Sequence, residues 1–343
     1  MIIVTGTNMI AGIINKKNAL KSLSDAEFER ILPLLAQELE THGILYETYT
    51  DEEISKDWKL LCGKPSTTGI TTISATATAG MKVLRKHMRH FHEVANHKGN
   101  SVRSLWKKEN LEKAIRFNRG NHSTPYASEI IRSLSFTNGL GKVTMYRPLM
   151  ARNVVAHFGA KTVLDVCAGW GGRMIGAKSV DLDDVHYTGI EPNTKTYAGL
   201  CAIRDELGLS GVTLICEPAE KALLEMPKEM RFDMALTSPP YFNLEIYSDE
   251  STQSVGQKDY QTWINTFLKP VIIGVIGRVR FSGWSVKNFK TDKQYDLLDD
   301  VIRIHKENGW KQLDVMFTMS NSSRPGGGGV KKTEEVTYIF VKE

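Results

Sequence analysis

The chain has 343 residues, of which 41% are hydrophobic and 24% charged, and its formal net charge is +5. These values are typical of a soluble globular protein with one large domain or two ordinary ones. No run approaches 18 uncharged apolar residues, and no basic segment precedes the apolar N-terminal run, so we expect no transmembrane helix, no signal peptide and no membrane partner. The cysteines are scattered, which argues against a zinc knuckle or a disulfide framework and favours a cytoplasmic location: Cys62, Cys167, Cys201 and Cys216.

Positive charge is concentrated in residues 81–120, which hold eleven Lys or Arg against three Glu. A basic block of this size favours a polyanion such as nucleic acid as a partner. A solvated helix face is the alternative, and it explains a lone basic block equally well. The candidate nucleic-acid-binding residues are five members of this block: Arg85, Lys86, Arg89, Lys107 and Lys108.

Residues 1–140 have mostly helical periodicity. Ser24 and Glu27 have the spacing of a capping box, and the amphipathic segment after them predicts a helix that ends at Gly43. Pro33 lies inside this segment and predicts a kink or a break. Residues 66–80 are uncharged and rich in Thr, Ala and Gly, and the pattern is compatible with either a flexible linker or a pair of strands.

Two basic helices are predicted next, over residues 81–95 and 104–121. In the first, an apolar stripe has helical spacing: Leu84, Met88, Phe91 and Ala95. Aromatic residues interleave with the charges of both helices: Phe91, Trp106 and Phe117. For these rings we favour core positions over base-stacking positions.

From residue 161 onward, short β-rich runs alternate with helical segments. The predicted strands are "KTVLDVC", "VHYTGIE", "GVTLIC", "FDMALT", "GWSVKNF", "KQLDVMFTM" and "EEVTYIFVK". Apolar strands that alternate with helices predict an α/β fold with a doubly wound, mostly parallel, seven-stranded sheet. The last two strands have no helix between them, so we expect an antiparallel pair at one edge.

A glycine-rich loop follows the first of these strands, in "LDVCAGWGGRMIGA". Asp165 ends the strand, and Gly169, Gly171 and Gly172 lead into a helix. Glycines at this place let the backbone turn tightly and approach a ligand at the carboxyl end of the strand. The Asp-x-x-x-Gly-x-Gly-Gly spacing is not that of a dinucleotide-binding loop, but an ordinary nucleotide-binding or structural turn stays open.

The next two strands end in acidic segments. Glu191 ends "GIE", 22 residues after Gly169, and an acidic side chain there can accept hydrogen bonds from both hydroxyls of a ribose. A surface glutamate is the alternative. The third strand is followed by Glu217, Pro218 and Glu220.

The fourth strand ends in Thr237-Ser238-Pro239-Pro240-Tyr241. This stretch resembles the catalytic signature of enzymes that methylate exocyclic amino groups, and such an amine is a poor nucleophile because its lone pair is delocalised into the ring. The Ser238 side chain and the Pro239 carbonyl oxygen offer two acceptors for its hydrogens, and the prolines fix the backbone that holds them. Tyr241 then offers a ring for stacking on a base that has left the duplex. A rigid surface turn is the alternative.

In this order, these motifs resemble those of class I S-adenosylmethionine-dependent amino-methyltransferases of the DNA N-4/N-6 type. The resemblance covers residues 141–343 and implies a Rossmann-like catalytic domain, with residues 1–140 as a mainly helical basic domain for target recognition. It implies Ser238, Pro239, Pro240 and Tyr241 as catalytic residues. The S-adenosylmethionine site that it implies is formed by Tyr146, Asp165, Cys167, Ala168, Gly169, Gly171, Glu191, Pro192 and Glu217. The resemblance also implies an acidic contact with the adenine after the third strand. Pro218 occupies the usual position of that residue, so Glu217 or Glu220 is the candidate.

The resemblance implies methyl transfer to an exocyclic amino group of DNA without a metal, and Ser238 slightly favours cytosine N-4 over adenine N-6. Methylation of RNA or of a protein glutamine is an alternative on the same fold, and so is a catalytically silent nucleic-acid-binding protein.

Residues 321–332 contain four consecutive glycines beside basic residues. For this segment we favour a mobile loop over one that closes on DNA or on the target base.

Overall fold

The computed structural model describes residues 8–65, 69–74, 76–140, 143–254, 257, 259–320 and 336–343. Its helices are α1 Met9–Ile13, α2 Asp25–His42, α3 Asp51–Cys62, α4 Met81–His87, α5 Val102–Leu105, α6 Lys108–Gly120, α7 Ala127–Thr137, α8 Pro148–Phe158, α9 Gly172–Lys178, α10 Thr194–Glu206, α11 Ala219–Glu225, α12 Tyr260–Trp263, α13 Lys269–Ile276 and α14 Leu297–Glu307. A 3₁₀-helix, Arg89–Glu93, follows α4, and a π-helical turn, Ile264–Leu268, joins α12 to α13. The strands are β1 Thr72–Ser74, β2 Ala95–Asn96, β3 Thr162–Asp165, β4 His186–Ile190, β5 Val212–Ile215, β6 Phe232–Thr237, β7 Glu245–Ile246, β8 Val279–Val286, β9 Phe289–Lys290, β10 Gln294–Tyr295, β11 Trp310–Ser320 and β12 Val336–Lys342.

Eight strands form the main sheet, in the order β1-β11-β12-β8-β6-β3-β4-β5. Strand β12 is antiparallel to its neighbours β8 and β11, and the other neighbouring pairs are parallel. The predicted doubly wound, mostly parallel α/β fold is therefore confirmed. The strand count differs from the predicted seven because Thr72–Ser74 pairs with the exposed edge of β11. Among the described residues of the Thr/Ala/Gly-rich segment, Thr72–Ser74 thus form a single edge strand.

The topology of this sheet defines a crevice. Strand β3 has β4 on one side and β6 on the other. The chain runs from β3 outward through β4 and β5, and then returns to the opposite side of β3 to form β6 and β8. The strand order therefore reverses between β3 and β6. In open α/β sheets, ligands bind outside the carboxyl ends of the strands at such a switch point.

The chain divides into two compact units. The first consists of residues up to Thr48, of Arg89–Thr144 and of Glu245–Tyr247, and the second contains the main sheet with Tyr49–Met88. The predicted boundary near residue 140 thus differs from the grouping in space. The reason is tertiary packing, because α4 packs against α10, where a Cβ atom added at Gly199 would lie 2.7 Å from the Met88 sulfur.

The first unit is a helical assembly whose core is formed mainly by α2, α6 and α7. Helix α2 begins with the predicted capping box and continues through Pro33 without a break. Trp106 is buried and donates its indole N–H to the Leu39 carbonyl oxygen at 2.8 Å, so it belongs to the core as expected. Phe117, by contrast, is 41% exposed, because it lies outside the α6 face that carries Leu111 and Ile115.

The basic segment differs in part from the two predicted helices. Helix α4 ends at His87, because Met88 has φ −107° and ψ 45°, outside the helical region. Leu84 and Met88 are buried, whereas Phe91 and Ala95 lie beyond the helix and are half-buried. The second predicted helix is present as α6, although it begins at Lys108.

In the described part of the chain, no helix combines the length and the apolar character needed to cross a membrane. Within the same residues, no three His, Cys, Asp or Glu side chains are grouped closely enough to hold a metal ion. All four cysteines are free thiols. The glycine-rich segment at residues 321–332, for which we expected a mobile loop, lies outside the described residues.

Candidate active site

The glycine loop between β3 and α9 is braced from inside by Asp165. This carboxylate is fully buried, and its Oδ2 atom accepts hydrogen bonds from Arg173 Nε and from the Tyr187 hydroxyl, both at 2.7 Å. Its Oδ1 atom accepts the Cys167 N–H at 3.3 Å, and Arg173 also donates to the Cys167 carbonyl oxygen. Asp165 therefore fixes the loop backbone, and buried charge-assisted bonds of this kind are among the stronger ones in proteins.

Two glycines of this loop occupy backbone conformations or spaces that other residues rarely accept. Gly171, directly before α9, has φ +83°, in the left-handed region. Gly172 begins α9 at a close approach of two backbones, since a Cβ atom there would lie 2.0 Å from the Tyr146 carbonyl oxygen. The segment before α8 thus packs directly on the start of α9, and Tyr146 lies next to the glycine loop.

Glu191 closes the other side of this loop. It follows β4 and is 8% exposed. Its two carboxylate oxygens accept the N–H groups of Asn193 and Gly169, each at 2.9 Å. Burial raises the pKa of Glu191 to about 7, although these two donors favour the charged form. Each oxygen of a carboxylate has a second lone pair, so Glu191 keeps acceptor capacity for two further donors.

The Ser-Pro-Pro-Tyr motif begins at the carboxyl end of β6, which is the strand beside β3. Thr237, the last residue of β6, is fully buried, and its hydroxyl oxygen accepts the Cys167 N–H at 3.1 Å. Ser238 is half-buried, and Pro239 is buried. The structure therefore bonds the glycine loop to the residue directly before the motif, although Cys167 and Thr237 are 70 residues apart in sequence.

Tyr241 lies deeper than the expected stacking role suggests. It is 7% exposed, and its ring makes an edge-to-face contact with Phe289, with centroids 5.4 Å apart. The next residue, Phe242, packs against Tyr295 and Trp263 and has a φ of +38°, which is uncommon for a non-glycine residue. This aromatic cluster fixes the turn that follows the two prolines.

The segment that follows the motif, residues 248–254, contacts the loop that carries Glu191. The Glu250 carboxylate accepts the Thr194 N–H at 3.2 Å and the Thr194 hydroxyl at 2.6 Å, at the N-terminus of α10. The Thr252 hydroxyl donates to the Pro192 carbonyl oxygen at 3.4 Å. An anionic side chain is stabilising at a helix N-terminus, so these contacts hold the segment beside Glu191.

We expect Glu250→Ala to increase hydrogen exchange of the Thr194 amide by about tenfold, because the loss of one hydrogen bond to a charged group corresponds to roughly that factor. Hydrogen–deuterium exchange mass spectrometry of peptides that cover residues 190–200 measures this change. Glu229→Ala, at an exposed position of the same unit, is the matched control and leaves the exchange unaltered. Equal exchange in the Glu250 variant and in the unaltered protein would show that the contact does not hold the segment.

The two acidic candidates after β5 differ in their surroundings. The Glu217 side chain is partly exposed, and its Oε2 atom forms an ion pair with Lys221 Nζ at 2.9 Å. Glu220 is more deeply placed, and among the described residues its Oε2 atom is buried without a hydrogen-bond partner. Burial raises the pKa of Glu220 above its usual value. The resemblance implies Glu217 as a cofactor-binding residue. Of the two carboxylates, however, the one with a buried oxygen that can still accept a hydrogen bond is that of Glu220.

The candidate nucleic-acid-binding residues are distributed over both units. Arg85 and Lys86 belong to the second unit, where Lys86 forms an ion pair with Glu206 at 2.7 Å. Arg89, Lys107 and Lys108 belong to the first, where Lys107 forms a 3.5 Å ion pair with Glu40. Part of the positive charge of residues 81–120 is therefore balanced by carboxylates that are distant in sequence.

Three residues of the candidate site were not recognised from the sequence: Arg173, Tyr187 and Thr237. Arg173 is 5% exposed and holds both Asp165 and the loop carbonyl of Cys167. A signal was present for two of them, because Arg173 directly follows the last loop glycine and Thr237 directly precedes Ser238. Tyr187 carried no local signal, since an aromatic residue inside a strand is ordinarily a core residue.

Comparisons with known proteins give similarity at the level of three-dimensional structure alone. No family model matches the sequence, and none of the curated proteins matches it. Solved structures that are similar include a SAM-dependent methyltransferase from Agrobacterium tumefaciens, with a TM-score of 0.38, 13% identity and coverage of 56% of this chain and 59% of that chain. TrmN from Thermus thermophilus gives a TM-score of 0.39 at 12% identity, covering 57% of this chain and 49% of that chain.

A third similar structure is magnesium protoporphyrin IX methyltransferase from Synechocystis with bound SAM, with a TM-score of 0.35, 12% identity and coverage of 59% of this chain and 87% of that chain. The matches thus span little more than half of this chain. They also span less than two thirds of the Agrobacterium and Thermus chains. Because the TM-scores are low, the fold assignment depends on the strand order and pairing of this chain itself.

Proposed function

We propose that this protein transfers a methyl group from S-adenosylmethionine to the exocyclic amino group of a nucleic-acid base, with DNA as the preferred substrate. The observation that carries the proposal is the 3.1 Å hydrogen bond between the Cys167 N–H and the Thr237 hydroxyl. It joins the glycine loop to Thr237, the residue directly before the Ser-Pro-Pro-Tyr motif, at the topological switch point, where an α/β sheet binds its ligand.

The residues around the loop fit a nucleoside cofactor. The glycines leave open backbone at the carboxyl end of β3, and Glu191 offers two buried carboxylate oxygens to the two hydroxyls of a ribose. Ala168, Gly169 and Pro192 would form the surrounding backbone, and Tyr146 lies beside Gly172. When bound, S-adenosylmethionine supplies an electrophilic methyl group on a sulfonium.

Ser238 and Pro239 would act on the amine that receives this methyl group. Ser238 is half-buried at the end of β6, and its two prolines restrict the backbone at that place. The serine hydroxyl and the Pro239 carbonyl oxygen accept the two N–H groups of the amine. Such acceptors favour a more tetrahedral nitrogen, whose lone pair is then available for attack. The lone pair would form the new N–C bond as the C–S bond of the sulfonium breaks, and the proton that the methylated nitrogen then sheds would pass to water.

The base that carries the amine would have to leave its stack, because neither face of a stacked base is accessible to a protein pocket. Tyr241 is the proposed stacking partner. Since it is 7% exposed and held edge-on by Phe289, we infer that the base meets its ring only after the turn that follows Pro240 adjusts. Serine before the prolines slightly favours cytosine N-4 over adenine N-6 as the target.

The test is methyl transfer with tritiated S-adenosylmethionine, in parallel, to duplex DNA, single-stranded DNA, RNA and protein. Digestion of the methylated product to nucleosides and identification by mass then distinguishes N-4-methylcytosine from N-6-methyladenine. Label in DNA on either exocyclic amine supports the proposal. Label in RNA or in a protein glutamine alone would assign one of the alternatives. Salt-dependent DNA binding without any transfer would indicate a silent nucleic-acid-binding protein.

A further inference from the structure

Three hydroxyl groups, two of them inside the main sheet, form a hydrogen-bonded chain. Ser285 and Thr337 are register partners on the antiparallel strands β8 and β12, and they are 0% and 1% exposed. The Thr337 hydroxyl is hydrogen-bonded to the Ser285 hydroxyl and, at 2.9 Å, to the hydroxyl of Tyr146. Burial of a hydroxyl is costly unless it is hydrogen-bonded, and the chain satisfies all three groups.

The Tyr146 end of this chain reaches the glycine loop. The Arg173 guanidinium lies over the Tyr146 ring, 5.2 Å from its centroid, and the Tyr146 carbonyl oxygen lies against Gly172. Arg173 in turn holds Asp165 and the Cys167 carbonyl oxygen. Tyr146 is therefore fixed at three points, and the hydroxyl chain links the interior of β8 and β12 to the loop backbone.

The fold alone does not require hydroxyls at these positions. Ile339, two residues further along β12 and on the same face as Thr337, is fully buried and apolar. A valine at position 337 has nearly the same shape as threonine and packs equally well in a strand. What valine lacks is the oxygen that holds the Tyr146 hydroxyl.

We propose that Thr337 and Ser285 are positioning residues for the cofactor site. They fix the Tyr146 ring, and through Arg173 they fix the backbone of the glycine loop in the geometry that receives S-adenosylmethionine. The inference rests on the proposed function and adds two residues that lie on strands remote from the loop in sequence.

The test measures affinity for S-adenosylhomocysteine by calorimetry and, where transfer is detected, KM and kcat for S-adenosylmethionine. We expect Thr337→Val to weaken binding and to raise KM by about tenfold, the factor that corresponds to one lost hydrogen bond, with kcat almost unchanged. Tyr146→Phe has the same effect. The double variant is no weaker than either single variant, because both remove the same bond. Ser285→Ala has a smaller effect in the same direction.

Ser282→Ala is the matched control. Ser282 lies on the same strand, is 0% exposed, and bonds to Trp284 Nε1 at 2.8 Å and to His305 Nε2 at 2.9 Å. Its separation of three residues from Ser285 places it on the opposite face of β8. Ser282→Ala therefore lowers the melting temperature but leaves affinity for S-adenosylhomocysteine unchanged.

Three outcomes would overturn the positioning role. They are unchanged affinity in Thr337→Val, an equal loss in Ser282→Ala, and additive losses in the Tyr146→Phe/Thr337→Val double variant. Failure of the unaltered protein to bind S-adenosylhomocysteine would overturn the proposed cofactor and this inference together. If the unaltered protein binds it but the variants give one of the three outcomes above, only the positioning role fails. Melting temperatures of all variants separate loss of affinity from loss of the fold, and Ser285→Ala serves as the second probe if Thr337→Val does not fold.

Discussion

We expect Ser238→Ala to lower kcat for methyl transfer by about 100- to 1000-fold, the loss that removal of one preorganised hydrogen-bonding group from an active site produces. The Ser238 side chain is the acceptor that the proposed mechanism gives to the target amine. In the proposed site, cofactor binding depends instead on Glu191 and the glycine loop, which Ser238→Ala leaves intact. The dissociation constant for S-adenosylhomocysteine should therefore change by less than about twofold, under about 0.5 kcal/mol.

Steady-state transfer rates at saturating cofactor and calorimetric titration with S-adenosylhomocysteine measure the two quantities separately. Ser210→Ala is the matched control, because Ser210 is an exposed serine of the same unit that bonds to the Leu182 carbonyl oxygen. A Ser238→Ala variant that is fully active on a confirmed substrate would rule out the acceptor role. A variant that also loses cofactor affinity would show that the serine acts through the loop.

The second large effect is expected at Glu191. Glu191→Gln places an amide group against two backbone N–H donors, those of Gly169 and Asn193, and it also removes the charge that two ribose hydroxyls would meet. Hydrogen bonds to a charged group contribute about 1.5–3 kcal/mol each, so loss of two weakens S-adenosylhomocysteine binding by at least about 100-fold. Glu225→Gln, at an exposed carboxylate on α11, leaves the affinity unchanged.

The same carboxylate predicts a pH dependence of cofactor affinity. Burial raises the pKa of Glu191 to about 7, so the acceptor form predominates only above that pH. If the ionised form binds, the dissociation constant rises about tenfold as the pH falls from 8 to 6, in inverse proportion to the ionised fraction. The Glu191→Gln variant loses this dependence. An affinity that is constant between pH 6 and pH 8 would contradict the role of the ionised carboxylate.

Protein stability has the opposite dependence on the ionisation of Glu191. Its pKa in the folded state lies above the ordinary value of 4.5, so the folded protein binds the proton more tightly than the unfolded chain. This contribution is fully present below pH 4.5 and is lost as the pH rises through about 7. Stability curves and affinity curves of the Glu191 variants must therefore be measured at the same pH values.

Several features of the fold could be derived from sequence because they depend on local interactions. The capping box at Ser24 and Glu27 and the apolar strands that end in Asp165 and Thr237 have short-range signatures, and the structure contains them at those places. The strand–helix alternation also predicts a parallel sheet, since a crossover helix connects parallel neighbours. The eighth strand, Thr72–Ser74, escaped prediction because its pairing with β11 depends on residues almost 250 positions away.

Within the candidate site, the sequence by itself determined which chemical groups are present and in which order they follow the strands. The glycine loop, Glu191 and the Ser-Pro-Pro-Tyr motif each stand at a strand end that the pattern identifies. Parallel strands bring their carboxyl ends to one edge, so the proximity of these motifs could be expected.

Only the tertiary structure decided how these groups are supported. The bonds of Arg173 and Tyr187 to Asp165, and the hydroxyl chain from Ser285 through Thr337 to Tyr146, join segments that are distant in sequence. The division of the basic segment between two units is a further example. The physical reason is that a buried polar group needs a partner, but nothing local in the sequence specifies which distant segment provides it, because that depends on strand register and helix packing.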